Sequence, residues 1–206
     1  MYILYARAGW GSALTELQLA WYGLPYRLEE VGDLFKEKAA ADKLRPINPL
    51  MQLPTLVLPD GQAMTESAAI TLHLAEITGR DDLAPPPPRP QFLRWLIFMV
   101  ANIYPTFTYS DDPARFVPGE EAQKAFKANV YAYLKRLWQM TEAEAGAQWF
   151  LGNRFTALDL FIAVMTKWRP GRAWFATHAP RLHAIAAATE RAPEIAGVWR
   201  RNFPNG

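Results

Sequence analysis

The chain has 206 residues, half of them hydrophobic, with 22 basic and 20 acidic side chains. This length suits one large or two small domains with a substantial core, and the near-balance of scattered charges argues against a general nucleic-acid-binding surface. The absence of cysteine excludes disulfides, a thiol nucleophile and thiolate metal ligands, and the three histidines lack the spacing of a metal site.

The sequence shows no targeting signal and no membrane-spanning segment. The N-terminus lacks the basic and apolar regions of a secretory signal. The longest apolar run, residues 95–101, is far shorter than the roughly 18 to 20 residues that a membrane span needs. We therefore expect a cytoplasmic protein whose partners include neither a membrane nor a nucleic acid.

Strand-like and helix-like segments alternate over the first 79 residues. A β-rich strand at 2–5 precedes a helix that begins near Ser12 and ends at Gly23. The remaining segments are a strand at 25–31, a helix at 35–44, two strands on either side of the Asp60-Gly61 turn signal, and a helix at 66–78. This βαβαββα order predicts a thioredoxin-like α/β domain over residues 1–79.

A proline-rich stretch at 80–90 follows this domain and contains four consecutive prolines. Such a run forms a stiff, extended linker. After it the β signals nearly vanish. Helical patterns predict helices at 91–109, with a kink at Pro105, and at 120–145, 156–168, 180–189 and 192–200. The sequence therefore predicts an all-α second domain over residues 91–206.

Pro54 lies between two strand-like runs, where a proline is unusual. It has no N–H for a sheet ladder, so it should not lie inside a central strand. A cis Leu53–Pro54 bond in a functional turn explains its position. That geometry would turn the main-chain N–H and C=O of Leu53 outward, where a peptide-like ligand could pair with them.

Glu66 and Ser67 open the next predicted helix. The free N–H groups of a helix N-terminus, together with a hydroxyl, can bind a carboxylate. Taken alone, the pair is typical of an ordinary first turn. Main-chain pairing beside a carboxylate pocket nevertheless describes a site for a small peptide.

At residues 48–56 and 65–70 the chain resembles the glutathione S-transferase family, in its bacterial cytosolic form. The matching pattern is a proline-terminated loop, the proline at position 54, and a Glu-Ser pair at the start of a helix. A second resemblance, at residues 155–160, is to the buried capping box of that family's helical domain, with Thr156 as the cap and Asp159 as its partner. Those two residues are expected to be structural.

The resemblance implies that the co-substrate is glutathione, with no metal. Ser67 would hold the α-carboxylate of its γ-glutamyl group, and Glu66 would pair with the α-amino group. Leu53, beside the cis-proline Pro54, would pair through its main chain with the cysteinyl part, and Gln52 would face the peptide. The glycyl carboxylate would bind one of four basic residues around the second helix: Lys36, Lys38, Lys43 and Arg45.

The chemistry requires a group that keeps the glutathione sulfur as a thiolate. A free thiol has a pKa of about 8.5, and hydrogen bonds to the thiolate form lower it. With cysteine absent, the resemblance leaves the hydroxyl of Ser12, which is preferred, the hydroxyl of Tyr5, and the main-chain N–H groups of residues 10–12. Ser12 could equally be a helix cap, and Tyr5 a core residue.

The electrophile pocket is expected between the two domains. Trp10, which departs from the small residue common in the family's first loop, would contact the glutathione or wall this pocket. Tyr104 and Phe107 are the preferred aromatic candidates from the helical domain, although aromatic residues at helical spacing are more often core.

These expectations describe a homodimeric detoxification enzyme that conjugates the glutathione thiolate to small hydrophobic electrophiles. Two alternatives remain open on the same fold. One is a glutathione-dependent isomerase, lyase or peroxidase. The other is a non-catalytic binding or scaffold protein.

Overall fold

The computed structural model describes residues 1–86 and 88–204, and it divides into two compact units. The first unit comprises Met1–Ala84 together with the C-terminal residues from Ala188 onward, and the second comprises Pro85–Ala187. Pro87, inside the predicted linker, lies outside the described residues.

Four strands of the described residues form one mixed sheet in the first unit. They are β1 (Tyr2–Ala6), β2 (Tyr26–Glu30), β3 (Thr55–Val57) and β4 (Ala63–Met64), in the order β2-β1-β3-β4. β1 pairs parallel with β2 and antiparallel with β3, and β3 pairs antiparallel with β4. The predicted thioredoxin-like arrangement is therefore present. Gly61, at φ +91°, supplies the left-handed residue of the predicted turn between β3 and β4.

Three helices of the first unit lie within its N-terminal part: α1 (Ser12–Trp21), α2 (Lys38–Leu44) and α3 (Ser67–Thr78). α1 packs against both β1 and α3. It is buried continuously from Ser12 to Leu19, polar residues included. Buried polar side chains are usually hydrogen-bonded, and those of Ser12 and Glu16 bond to segments outside α1.

α2 begins later than the sequence predicts, at Lys38 instead of residue 35. The carboxylate of Asp33 accepts the Phe35 N–H at 3.0 Å, and the carboxylate of Glu37 accepts the Asp33 N–H at 3.0 Å. These local bonds give residues 33–37 a turn that competes with the helix. Phe35 consequently projects from a turn, with 46% of its surface exposed.

The second unit is helical, as predicted. Its helices are α4 (Arg89–Phe98), α5 (Tyr104–Asp111), α6 (Glu120–Glu144), α7 (Ala157–Met165), α8 (Arg172–His178) and the first part of α9 (Pro180–Thr189). Every residue of α7 is buried, so this helix forms the centre of the unit's core. α8 has no counterpart among the sequence predictions. No helix among residues 1–86 and 88–204 is both long and apolar enough to cross a membrane.

The predicted helix over 91–109 is divided into three parts. α4 passes into a π-helical segment at Met99–Ile103, and α5 follows it directly. Pro105 lies in the first turn of α5, where its missing N–H costs the helix least. The wider π turn, instead of a simple kink, accommodates the proline.

The C-terminal segment packs with the first unit. α10 (Ala196–Asn202) follows a 3₁₀ turn at Pro193–Ile195, and both lie against α1. This division differs from the predicted one, which assigned residues 91–206 to a single domain. The physical reason is the inward face of α10, whose Val198, Trp199 and Asn202 are buried.

Candidate functional site

A buried asparagine organises the loop before β3. Asn48 donates from its side-chain amide to the main-chain oxygen of Gln52 and to the hydroxyl of Thr55, each at 3.0 Å. The Thr55 hydroxyl donates in turn to the same Gln52 oxygen, at 2.8 Å. These bonds close residues 48–55 into one loop. Within it the Leu53–Pro54 peptide bond is cis, as the sequence predicts, and the Gln52 side chain is exposed.

Leu53 brings three parts of the first unit together. Its side chain is buried in a small apolar cluster with Val31 and Leu44, and the side chains of Tyr5 and Trp10 pack against this cluster. Three of the predicted site residues, Tyr5, Trp10 and Leu53, therefore share one location. They come from the end of β1, the loop before α1 and the cis-proline loop.

The start of α3 follows the strand that pairs with β3. Leu56 pairs with Met64 in the antiparallel β3–β4 ladder, and α3 begins at Ser67, shortly after β4 ends. The five residues predicted to contact glutathione in this region, Gln52, Leu53, Pro54, Glu66 and Ser67, lie just before β3 and just after β4.

Glu66 and Ser67 differ in how the fold holds them. Glu66 has φ 66° and ψ 105°, a conformation that costs a non-glycine residue about 1 to 3 kcal/mol and that clusters at ligand sites. Its side chain is exposed. Ser67 is 6% exposed, and no hydrogen bond from the described residues reaches its hydroxyl. The hydroxyl is therefore available to a ligand at the helix N-terminus.

The Ser12 hydroxyl is hydrogen-bonded to the loop that precedes it. Its hydroxyl donates to the Arg7 main-chain oxygen and accepts the Arg7 N–H, both at 3.1 Å. The residue is 1% exposed. Ser12 thus joins the end of β1 to the start of α1, and its hydroxyl proton already has an acceptor.

The other predicted thiolate donors, the Tyr5 hydroxyl and the N–H groups of residues 10–12, differ from the Ser12 hydroxyl in their hydrogen bonding. Within the described residues, the Tyr5 hydroxyl has no hydrogen-bond partner, and neither do the main-chain N–H groups of Gly11 and Ser12. The Trp10 N–H, in contrast, donates to the Arg7 oxygen at 3.1 Å. The Tyr5 hydroxyl and the N–H groups of Gly11 and Ser12 are therefore the predicted donors that the described residues leave without an acceptor.

Trp10 forms a platform with a cation and a second aromatic ring. The Arg7 guanidinium lies 5.0 Å from the centroid of the Trp10 ring and 3.4 Å from the Asp33 carboxylate. On the Phe35 side, the two ring centroids are 5.4 Å apart. This apolar surface with a positive edge lies directly beside Tyr5 and Leu53.

One of the four basic residues around α2 is already engaged. Lys43 lies 2.5 Å from the Glu29 carboxylate and donates to the Glu30 main-chain oxygen at 2.9 Å. Lys43 and Arg27 lower the pKa of Glu29 by hydrogen bonding to its charged form. Lys36, Lys38 and Arg45 are exposed, which leaves these three as the better candidates for a carboxylate.

Tyr104 and Phe107 meet within the second unit. Both rings pack edge-on against Trp168, with centroids at 5.5 Å and 5.0 Å. Phe107 is 5% exposed, as a core residue would be, whereas Tyr104 is partly exposed. Of the two predicted pocket residues, Tyr104 is the more accessible.

The predicted capping box is present at α7. Asp159 accepts the Thr156 N–H at 2.7 Å and the Phe150 N–H at 2.8 Å, and the Thr156 hydroxyl accepts the Leu158 N–H at 3.2 Å. Both Thr156 and Asp159 are completely buried. Burial raises the pKa of Asp159 to about 7, although its hydrogen bonds oppose the shift. All these partners are structural, and none is placed for chemistry on a ligand.

Sequence reasoning missed two buried polar residues near the site. Asn48 had a local signal, because an asparagine before a proline often initiates a turn. Asn202 had no local signal, because its side chain accepts a hydrogen bond from Gly9, which lies 193 positions away in the sequence.

Comparisons with known proteins point to one family. The sequence model described as the N-terminal domain of glutathione S-transferase matches residues 15–77. The chain is 38% identical to the uncharacterised GST-like protein YncG of Escherichia coli K12 over 97% of both chains. It is 28% identical to glutathione S-transferase GstA of E. coli O157:H7 over 80% of this chain and 81% of that protein.

A solved structure extends the similarity to a glutathione complex. The glutathione S-transferase of a sphingomonad, determined with glutathione, matches with a TM-score of 0.74 and 25% identity. The match covers 96% of this chain and 97% of that one.

Proposed function

Because the chain belongs to the glutathione S-transferase family, we propose that it binds glutathione in its first unit and transfers the thiolate to a small hydrophobic electrophile. The observation that carries this proposal is the meeting of Tyr5, Trp10 and Leu53 in one cluster, beside the cis Leu53–Pro54 bond. The sphingomonad relative, which was solved with glutathione, supports glutathione as the ligand.

Glutathione would lie along the cis-proline loop. Its γ-glutamyl carboxylate would accept the Ser67 hydroxyl and the first N–H groups of α3, and Glu66 would pair with the amino group. Leu53 would pair through its main chain with the cysteinyl residue, with Pro54 fixing the turn and Gln52 covering the peptide. The glycyl carboxylate would bind Lys36, Lys38 or Arg45.

We assign thiolate stabilisation to the Tyr5 hydroxyl and to the N–H groups of Gly11 and Ser12. The Ser12 hydroxyl, first in order from the sequence, donates to the Arg7 oxygen instead. Donors held in place before the reaction stabilise the thiolate without having to reorient. The thiolate then attacks the electrophilic carbon, a carbon–sulfur bond forms, and the leaving group departs with its electron pair.

The electrophile would lie on the platform formed by Trp10 and Phe35. Its apolar area suits a small hydrophobic molecule, and the Arg7 guanidinium favours one that carries partial negative charge. From the family resemblance we also propose a homodimer, a cytoplasmic location and a role in detoxification.

The test is a pH titration of the thiolate absorbance of glutathione bound to the pure protein, followed by product analysis with an aromatic halide. A bound thiol pKa well below about 8.5, together with a stable conjugate, supports the transferase. A shifted thiol without a lasting conjugate favours the isomerase, lyase or peroxidase. Binding without a shift, or no binding at millimolar glutathione, favours the scaffold protein.

A further inference from the structure

Asn202, at the end of α10, connects the C-terminal helix to the loop before α1. Its side-chain oxygen accepts the Gly9 N–H at 3.2 Å, and its side-chain nitrogen donates to the Glu16 carboxylate at 2.7 Å and to the Val198 main-chain oxygen at 3.0 Å. A carboxylate and a carbonyl accept only, and an N–H donates only. The amide therefore has one orientation that satisfies all three partners.

Glu16 anchors this connection inside the first unit. Its carboxylate is 2% exposed and forms an ion pair with Arg201. It also accepts the Tyr26 hydroxyl at 3.2 Å. Moving α10 relative to α1 would remove the Arg201 and Asn202 donors and leave this buried carboxylate only the Tyr26 hydroxyl, which is unfavourable. Asn202 is thus held rigidly against α1.

Gly9 brings the backbone of the loop before α1 close to α10. It has φ +74°, and a Cβ atom there would lie 3.4 Å from the main-chain oxygen of Asn202. The backbone of the loop therefore lies directly on the C-terminal segment. A cavity of about 230 Å³, lined in part by Arg7, Ala8 and Asn202, lies beside this contact.

We propose that Asn202 is a positioning residue, which holds Gly9 so that Trp10 and the N–H groups of Gly11 and Ser12 keep the geometry of the thiolate site. This inference rests on the proposed function. Asn202 acts through the loop and does not itself contact the substrate. A displacement of about 1 Å in a reacting group can lower a rate by about 100-fold, so a single amide contact can matter for the reaction.

The experiment compares Asn202→Ala with Tyr26→Phe. The second variant removes the bond from Tyr26 to the same Glu16 carboxylate and the bond from Arg201 to the Tyr26 hydroxyl, but it leaves the Gly9–Asn202 bond intact. We expect Asn202→Ala to raise the pKa of the bound thiol by about one, which means about tenfold less thiolate at neutral pH, and to lower kcat by a similar factor with a smaller change in KM. Tyr26→Phe should leave the thiol pKa unchanged.

The outcomes separate this inference from the proposed function. If the wild type and Asn202→Ala lower the thiol pKa equally, the positioning role of Asn202 is wrong and the proposed function stands. A wild-type protein that does not lower the thiol pKa overturns the proposed function and this inference with it. If Asn202→Ala does not fold, hydrogen exchange of the wild-type protein tests the inference. The Gly9 amide should then exchange as slowly as the buried amides of α10. Fast exchange of the Gly9 amide refutes the inference.

Discussion

The side chain of Asn48 donates to the hydroxyl of Thr55 at 3.0 Å, across the cis peptide bond that separates them. Asn48 is 4% exposed, so its amide is shielded from bulk water. The bond fixes both ends of the loop that carries Gln52, Leu53 and Pro54. This geometry makes Asn48 a residue that shapes the loop proposed to bind glutathione.

Replacing Asn48 by alanine should weaken glutathione binding. The change removes both amide donors from the loop, at a cost in stability of about 1 to 3 kcal/mol, and lets Leu53 move. We expect a rise of at least about fivefold in the dissociation constant, measured by calorimetry. Thr78→Ala is the control, because the Thr78 hydroxyl bonds only within α3. Equal affinities in the two variants would contradict this expectation.

Ser67→Ala should separate binding from folding. Since no described residue bonds the Ser67 hydroxyl, its loss should change the unfolding free energy by less than about 0.5 kcal/mol. A hydrogen bond to a charged carboxylate contributes about 1.5 to 3 kcal/mol, so glutathione affinity should fall at least about tenfold. A variant that binds glutathione like the wild type would make Ser67 an ordinary first-turn residue.

Local signals predicted much of the first unit. Pro54 between two strand-like runs indicated the cis bond, Asp60-Gly61 indicated the turn between β3 and β4, and Gly23 indicated the end of α1. Each signal arises because one residue type suits one backbone geometry. The sequence could not predict that Phe35 lies in a turn, because the side chains of Asp33 and Glu37 decide this locally against the helical pattern.

Long-range contacts were beyond sequence reasoning. A serine that caps a helix and a serine that donates to a ligand have the same signature. Ser12 does not cap α1, which has no side-chain cap, and its hydroxyl bonds the main chain of Arg7 instead. The packing of α10 on α1 was likewise hidden. Asn202 meets Glu16 at a separation of 186 positions, and nothing in the pattern of either segment indicates the other.

Tyr5→Phe and Ser12→Ala should affect different properties. Tyr5→Phe removes a hydroxyl that has no partner among the described residues, so stability should hold while the pKa of the bound thiol rises by about one. Ser12→Ala breaks two local bonds, so it should lower the melting temperature more than it shifts the thiol pKa. Thiolate absorbance titrations and thermal unfolding of both variants make the comparison. The reverse pattern would return the activating role to the Ser12 hydroxyl.

Asp159 should make the stability of the protein depend on pH. Burial raises its pKa from 3.8 to about 7, so between these values the folded state binds a proton that the unfolded state releases. The contribution of Asp159 to the free energy of unfolding is therefore fully present below about pH 4 and is lost as the pH rises through about 7, by on the order of 4 kcal/mol in total.

Asp159→Asn cannot titrate, so its loss of stability over this interval should be smaller than that of the wild type. Denaturant midpoints at pH 4.5 and about 7.5 measure the difference. Parallel pH dependence in the two proteins would show that the Asp159 carboxyl keeps an ordinary pKa, stabilised as a carboxylate by its bonds to Phe150 and Thr156.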